Sequence, residues 1–322
     1  VTFSLCVKMN FPNLVSRGRL MNFFRSSGPS ERQHPHLAEF PSAKISVNSL
    51  NPTAAYNEHI QPSLAPSLQV HYLEIGKDLP TGKEPCPDDH FRVVCISDTH
   101  GKHRKMAQEI PYGDVLIHAG DFTCMGGKAE IVRFCEWIAT LPHPQKIVIA
   151  GNHELTLDAA GFEKRRNKFE STAENRRLVK ECPAFSYLED SGVDIGGYHF
   201  YGSPWQPEFH EWAFNLPRGG PCAEVWDRIP TETDILITHG PPLGHGDKCQ
   251  DGTRAGCVDL LATITERVKP LYHISGHIHE GYGVTTNGMT TFINASTCNF
   301  FYRANNPAVV FDLPRRSLEK DG

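Results

Sequence analysis

Three short apolar runs punctuate the middle of the chain: Arg92-Val93-Val94-Cys95-Ile96-Ser97, Asp114-Val115-Leu116-Ile117-His118 and Lys146-Ile147-Val148-Ile149-Ala150. They are nearly continuous rather than alternating, the pattern of strands buried on both faces. Between the second and third, Ile131, Phe134, Cys135, Ile138 and Leu141 recur at i, i+3, i+4, i+7 and i+10, which predicts an amphipathic helix that Pro142 stops. Further helices are predicted through the charged stretch 162–182 and through 258–268. Strands are expected at 69–75, 199–202, 234–238, 271–275, 291–294 and 309–311. Strand and helix alternate early and the end is strand-rich, so the prediction is an α/β layered domain of two sheets with helices outside.

Residues 1–65 lack either period and are Pro-punctuated around Ser26 to His36, so they read as a disordered or loosely attached arm. A short strand and linker occupy 66–91, the domain proper 92–313, and a tail 314–322. The first residue is Val1, so the chain reads as a fragment or a translated transcript, with Met9 and Met21 as candidate starts.

Composition narrows the class. The chain has 322 residues, 39% of them hydrophobic, and a net charge of −5. That balance implies no general attraction to nucleic acid or to an anionic membrane. No apolar run approaches the roughly 18 residues of a membrane span. Ten cysteines occur without a C-x-x-C pair and without a convincing leader, so reduced thiols and a cytoplasmic location are expected. The sequon Asn294-Ala295-Ser296 falls in a predicted strand, where a glycan is not expected.

Chemistry concentrates in five fragments: Asp98-Thr99-His100, Gly120-Asp121, Gly151-Asn152-His153-Glu154, Thr238-His239-Gly240 and Gly276-His277-Ile278-His279. Each closes a β-branched apolar run, the place where ligands gather in α/β sheets. In an extended strand i and i+2 share a side, so Asp98 with His100, and His277 with His279, are expected to face one ion together. Taken alone, Asp98-x-His100 is an ordinary strand-end turn and Asn152-His153 ordinary loop hydrogen bonding. Five in this order point to metal. Carboxylate, amide and imidazole ligands without thiolate suit two divalent ions, Mn first, with Fe, Zn, Co or Mg as alternatives. Two carboxylates leave such a pair net positive, so it attracts an anion and suits phosphoryl displacement by an activated water.

These fragments resemble the calcineurin-like metallophosphoesterase superfamily, with its D-x-H, G-D, G-N-H-[ED], H and G-H-x-H pattern. Tyr201-Gly202-Ser203-Pro204-Trp205-Gln206-Pro207, Thr238-His239-Gly240-Pro241-Pro242-Leu243-Gly244 and His279-Glu280-Gly281-Tyr282-Gly283 look more specifically like the animal metallophosphoesterase-domain-containing subfamily. The resemblance implies a layered sandwich of two mixed β-sheets flanked by helices. It implies that Asp98, His100 and His279 hold one ion, that Asp121 bridges, and that Asn152, His239 and His277 hold the other. His153 is the implied catalytic residue, contacting phosphate and protonating the leaving oxygen, with Glu154 orienting it or a neighbouring ligand. Substrate contacts are expected from Asn152, His153, His277, Ile278, His279 and Glu280, with Trp205 lining the pocket.

The implied activity is a dinuclear metal-dependent phosphodiesterase in which a metal-bridging hydroxide attacks a cyclic or simple nucleotide. The alternatives are a low-activity or inactive nucleotide-binding scaffold that keeps the metal site, and a phosphomonoesterase. Partners are expected to be small nucleotides or phosphodiesters, with no specific nucleic acid and no membrane. The N-terminal arm is a candidate surface for a protein partner. His118 reads as a core histidine, His245 as a loop residue near the site mouth, and Tyr272, His273 and His199 as sheet surface or core. The aromatics from Trp205 to Phe214 read chiefly as loop anchors.

Overall fold

Within each apolar run the side chains part company, and that decides the layering. Val93 and Cys95 enter one buried cluster while Val94 and Ile96 enter another on the opposite face. The structure, a computed structural model, describes residues 50–63, 65–159, 161 and 172–316. In chain order come α1 (Pro52–Ala55, continued by a wider turn over Tyr56–Ile60), β1 (His71–Leu73), β2 (His90–Ile96), β3 (Val115–Ala119), α2 (Lys128–Ala139) and β4 (Gln145–Ile149). Next are α3 (Thr172–Lys180), β5 (Ser186–Tyr187), β6 (Ser191–Ile195), β7 (Tyr198–Ser203), β8 (Gln206–Pro207), β9 (Asn215–Leu216) and α4 (Gly220–Trp226). The chain finishes through β10 (Ile235–Thr238), α5 (Val258–Ala262, continued over Thr263–Val268), β11 (Tyr272–Ser275), β12 (Gly283–Thr286), β13 (Thr291–Asn294) and β14 (Val309–Pro314).

Two mixed sheets form the frame. One has five strands in the order β14-β2-β3-β4-β5, with β14 antiparallel to β2 and the others parallel. The other has seven, in the order β1-β12-β13-β11-β10-β7-β6, with β13, β11, β10 and β7 parallel. Their facing sides pack Val93, Cys95, Ile117 and Ile149 against Phe200, Ile235, Ile274 and Ile293. Outside the first sheet, Val94, Leu116 and Val148 are covered by Ile131, Phe134, Trp137 and Ile138 of α2. Outside the second, Tyr201, Leu236 and Phe292 are covered by Trp226 of α4 and Leu260, Ile264 and Val268 of α5. The result is the α/β layered sandwich of two mixed β-sheets flanked by helices that the sequence indicates.

Some elements differ from expectation. The helix expected over 162–182 is described only from Thr172, the earlier part lying outside the described residues. Residues 52–60, expected within a loose arm, are helical here, because Ala55 and Ile60 are buried against Leu243, Val258 and Leu261. The rest of the arm, to residue 49, lies outside the described residues. β6 carried no apolar signal because it is a largely exposed edge strand paired with β7. Among the described residues no helix is long and apolar enough to cross a membrane.

Candidate metal centre

The parallel strands of both sheets end on one side, and five of them hand the chain to a polar fragment: Ile96 to Asp98, Ala119 to Asp121, Ile149 to Asn152, Thr238 to His239 and Ser275 to His277. The sheets meet here. Ser97 bridges Ser296, Thr297 N donates to Ser97 O at 2.8 Å, and Cys298 N donates to Asp98 O at 3.3 Å. The backbone does not stay extended as expected. Asp98, His100, Asp121 and His277 have φ of 51°, 43°, 55° and 67°, in the left-handed region that non-glycine residues rarely occupy. So Asp98 and His100 do share a group, but by two left-handed turns rather than by strand alternation. His277 and His279 are divided between two groups, because His279 lies in a following 3-10 turn. Glycine is required beside them: a Cβ on Gly276 would strike Asp98 Oδ2, and one on Gly151 would strike Asp121 Oδ1.

The ring nitrogens are fixed by main-chain carbonyls. His239 Nδ1 lies 2.9 Å from Ala119 O, His279 Nδ1 3.1 Å from Asn299 O and His153 Nδ1 2.6 Å from Cys124 O. A carbonyl only accepts, so each Nδ1 carries the proton and each Nε2 is left to face the centre. There His239 Nε2 lies 3.0 Å from Asn152 Oδ1 and 3.3 Å from Asp121 Oδ2. His279 Nε2 lies 3.0 Å from His100 Nε2 and 3.4 Å from Asp98 Oδ1. Asp121 Oδ2 also stands 3.9 Å from both His100 Nε2 and His153 Nε2, so it sits between the groups. Lone pairs converging on carboxylate oxygens repel one another unless positive charge lies among them. The donor set therefore fits divalent cations: Asp98, His100 and His279 on one side, Asp121, His239 and His277 on the other.

Ionisation follows the same logic. Burial opposes charge on His239, yet the Asp121 carboxylate beside it holds the imidazole up to about 9, so without a cation Nε2 keeps a proton whose place a metal ion would take. Burial also opposes ionisation of Asp98, and the contact with His279 outweighs it, holding the carboxyl well below its usual range. Burial dominates at His100 and His277, pushing each down to about 3, which leaves neutral imidazole, the ligating form. Glu154 is fully buried and accepts from Gly151 N, Asp121 N, Thr123 N and Thr123 Oγ1 at 2.7–2.9 Å. It thus ties the fragment after β3 to the fragment after β4. Burial, reinforced by Asp121, pushes its carboxyl up to about 8.

Of the residues named from sequence, Asp98, His100, Asp121, Asn152, His153, His239, His277 and His279 come together. Three others make no contact in this group among those observed. Ile278 is a buried side chain, Glu280 Oε1 accepts from Gln250 N at 3.0 Å, and Trp205 Nε1 donates to Asp190 Oδ2 at 2.9 Å. Trp205 does border a cavity of about 510 Å³ shared with Trp212, His210 and Glu208. Trp212 also stands beside the centre, its ring 4.2 Å from that of His153. Phe209 meets His277 at 5.5 Å, and Tyr302 lies 4.9 Å from both His100 and His279. The aromatic density of 205–214 signalled the first two; Tyr302 carried no such signal. Ser296, whose Oγ donates to Asp98 Oδ2 at 2.9 Å, was also missed.

His118 is a core histidine bonded to Thr99 Oγ1 at 2.9 Å. His245 does not sit at the mouth. It is buried, stacked on Phe292 at 3.7 Å, with Nδ1 2.8 Å from Thr285 Oγ1, because its loop folds back on the outer face of the seven-stranded sheet. The nine described cysteines are free thiols.

A model of the calcineurin-like phosphoesterase family matches residues 91–281. The chain is 43% identical over 318 residues to metallophosphoesterase domain-containing protein 1 of Homo sapiens, covering 94% of this chain and 93% of that protein. The Mus musculus protein of the same name matches with the same identity and coverage.

Proposed function

The chain belongs to the calcineurin-like phosphoesterase family, and on that premise we propose that it is a dinuclear metal-dependent phosphodiesterase acting on cyclic or simple nucleotides. One observation carries the reading: Nε2 atoms whose Nδ1–H groups are held by backbone carbonyls converge on the oxygens of Asp98, Asp121 and Asn152. In this reading Asp98, His100 and His279 would hold one cation and Asn152, His239 and His277 the other, with Asp121 standing between the two groups. When bound, such a pair supplies a water nucleophile near neutral pH and positive charge for the phosphoryl oxygens. Manganese is the metal proposed, from the oxygen and imidazole donors.

The chain's own residues do the rest. His153, held by Cys124 O, presents Nε2 to the centre and, as imidazolium, gives its proton to the departing alkoxide oxygen. Trp212 beside His153 and Tyr302 beside His100 and His279 bring aromatic rings to the centre, which suits a planar base, since any base can stack. A cytoplasmic location, where the thiols stay reduced, belongs to the same reading.

The test is hydrolysis of bis-p-nitrophenyl phosphate, its monoester, and 2′,3′- and 3′,5′-cyclic AMP by metal-stripped protein refilled with Mn²⁺. Diester turnover that is lost in Asp121→Ala is expected. Preference for the monoester would replace the reading with a phosphomonoesterase. Bound metal and nucleotide without turnover above the variant would replace it with a nucleotide-binding protein that retains the site.

A further inference from the structure

Phe300 and Phe301 are 48% and 70% exposed, at the tip of a loop that the backbone holds firmly. Asn299 Oδ1 accepts from Phe301 N and Arg303 N at 3.0 and 3.1 Å, and Asn299 N donates to Arg303 O at 2.9 Å. The rings are therefore kept in water by a formed turn, against the hydrophobic effect. Their centroids are 5.4 Å apart with planes at 79°, a wedge rather than a pair of parallel faces. Successive nucleic-acid bases need parallel faces to stack on, and this geometry denies them.

The flank of the wedge is basic. Segment 101–107 runs beside it, with Ala107 N donating to Ala304 O at 2.8 Å and Lys102 Nζ 5.2 Å from the Tyr302 ring. It contributes Lys102, Arg104 and Lys105, and the loop itself adds Arg303. Arg104, Lys105 and Arg303 are exposed. Neither 99–108 nor 295–306 contains an acidic residue, so this face is locally cationic on a chain of net charge −5. It also borders the metal centre, since Asn299 O is the carbonyl that accepts from His279 Nδ1.

We propose that this face docks on an anionic lipid surface, with Phe300 and Phe301 entering the interface and the four basic side chains meeting the headgroups. Each signal is weak alone. Apolar insertion combined with juxtaposed basic charge gives stable peripheral binding, and the cytoplasmic leaflet supplies the negative potential. The overall charge read from composition conceals this patch because it averages over the whole chain. Docking in this way sets the metal centre at the headgroup surface.

The experiment is sedimentation of the full chain with phosphatidylcholine vesicles made with and without phosphatidylserine. Binding is expected with phosphatidylserine, weakening as salt is raised. The double variant Phe300→Ser/Phe301→Ser is expected to lose about tenfold or more in partitioning, from the apolar area it no longer buries. Arg104→Glu/Lys105→Glu is expected to abolish the preference for phosphatidylserine. Thermal unfolding of both variants, expected to match the unsubstituted chain, shows that they are folded. Protein that stays in the supernatant with both vesicle types overturns the proposal. So does wild-type binding by both variants, which would assign the attachment to another part of the chain.

Discussion

Both oxygens of Asp98 accept from His277 N at 3.0 Å, and Oδ2 also accepts from Ser296 Oγ at 2.9 Å. The carboxylate is thus gripped from the far end of the chain and has no room to swing. Gly276 closes the remaining space, since a Cβ there would overlap Oδ2. Gly276→Ala is therefore expected to push the carboxylate out of place and cut metal affinity or turnover by roughly 10- to 100-fold or more, as removal of a ligand's supporting partner does. Metal content after gel filtration, alongside an unfolding curve, separates loss of the ion from loss of the fold. Residues such as Asp98 and His277 were legible because each motif is local. Ser296 was not, because a serine 198 positions from its partner carries no pattern of its own. The left-handed turns at Asp98 and His277 were equally hidden, since tertiary hydrogen bonds, not local preference, impose them.

Among elements, the strand-end loops matter most, and Glu154 couples two of them. All four of its partners are donors, so the ionised carboxylate, with acceptors on both oxygens, is the form that satisfies them, and these hydrogen bonds oppose the upward push of burial and Asp121. Glu154→Gln preserves the shape but turns an NH₂ toward N–H donors. It is expected to destabilise the fold by about 1–3 kcal/mol per donor left unsatisfied. It is also expected to loosen the bridge position, because Asp121 N loses its acceptor. A midpoint shift in urea together with weaker Mn²⁺ binding is the expected pair of results; unchanged metal affinity would show that Glu154 serves the fold alone. The elements flanking these loops were readable where periodicity was strong. α2 follows from Ile131, Phe134 and Ile138, all fully buried. β12 was not readable, because Gly283-Val284-Thr285-Thr286 has one apolar residue and gains its place by pairing with both β1 and β13.

At the scale of the molecule, the two sheets share one core but bring their polar strand ends to a single point. Asp98, Asp121 and Asn152 come from the five-stranded sheet, and His239, His277 and His279 from the seven-stranded one. Any cation held there joins the sheets, so binding to the folded chain and not to the unfolded one must add to stability. At a free metal concentration about 100 times the dissociation constant, that linkage is worth about 2.7 kcal/mol. For a domain of this size it corresponds to a rise in Tm of roughly 5–10 °C. Scanning calorimetry of chelator-treated protein with and without Mn²⁺ should show that rise, and Asp121→Ala should remove most of it because its oxygen faces both groups. Equal Tm with and without metal in the unsubstituted chain would mean that the centre binds too weakly to link the sheets. The order of the motifs along the sequence foretold their meeting. It could not foretell that the meeting point is also a seam between sheets, since β10, β11 and β13 reach it only after a crossover that no local pattern records.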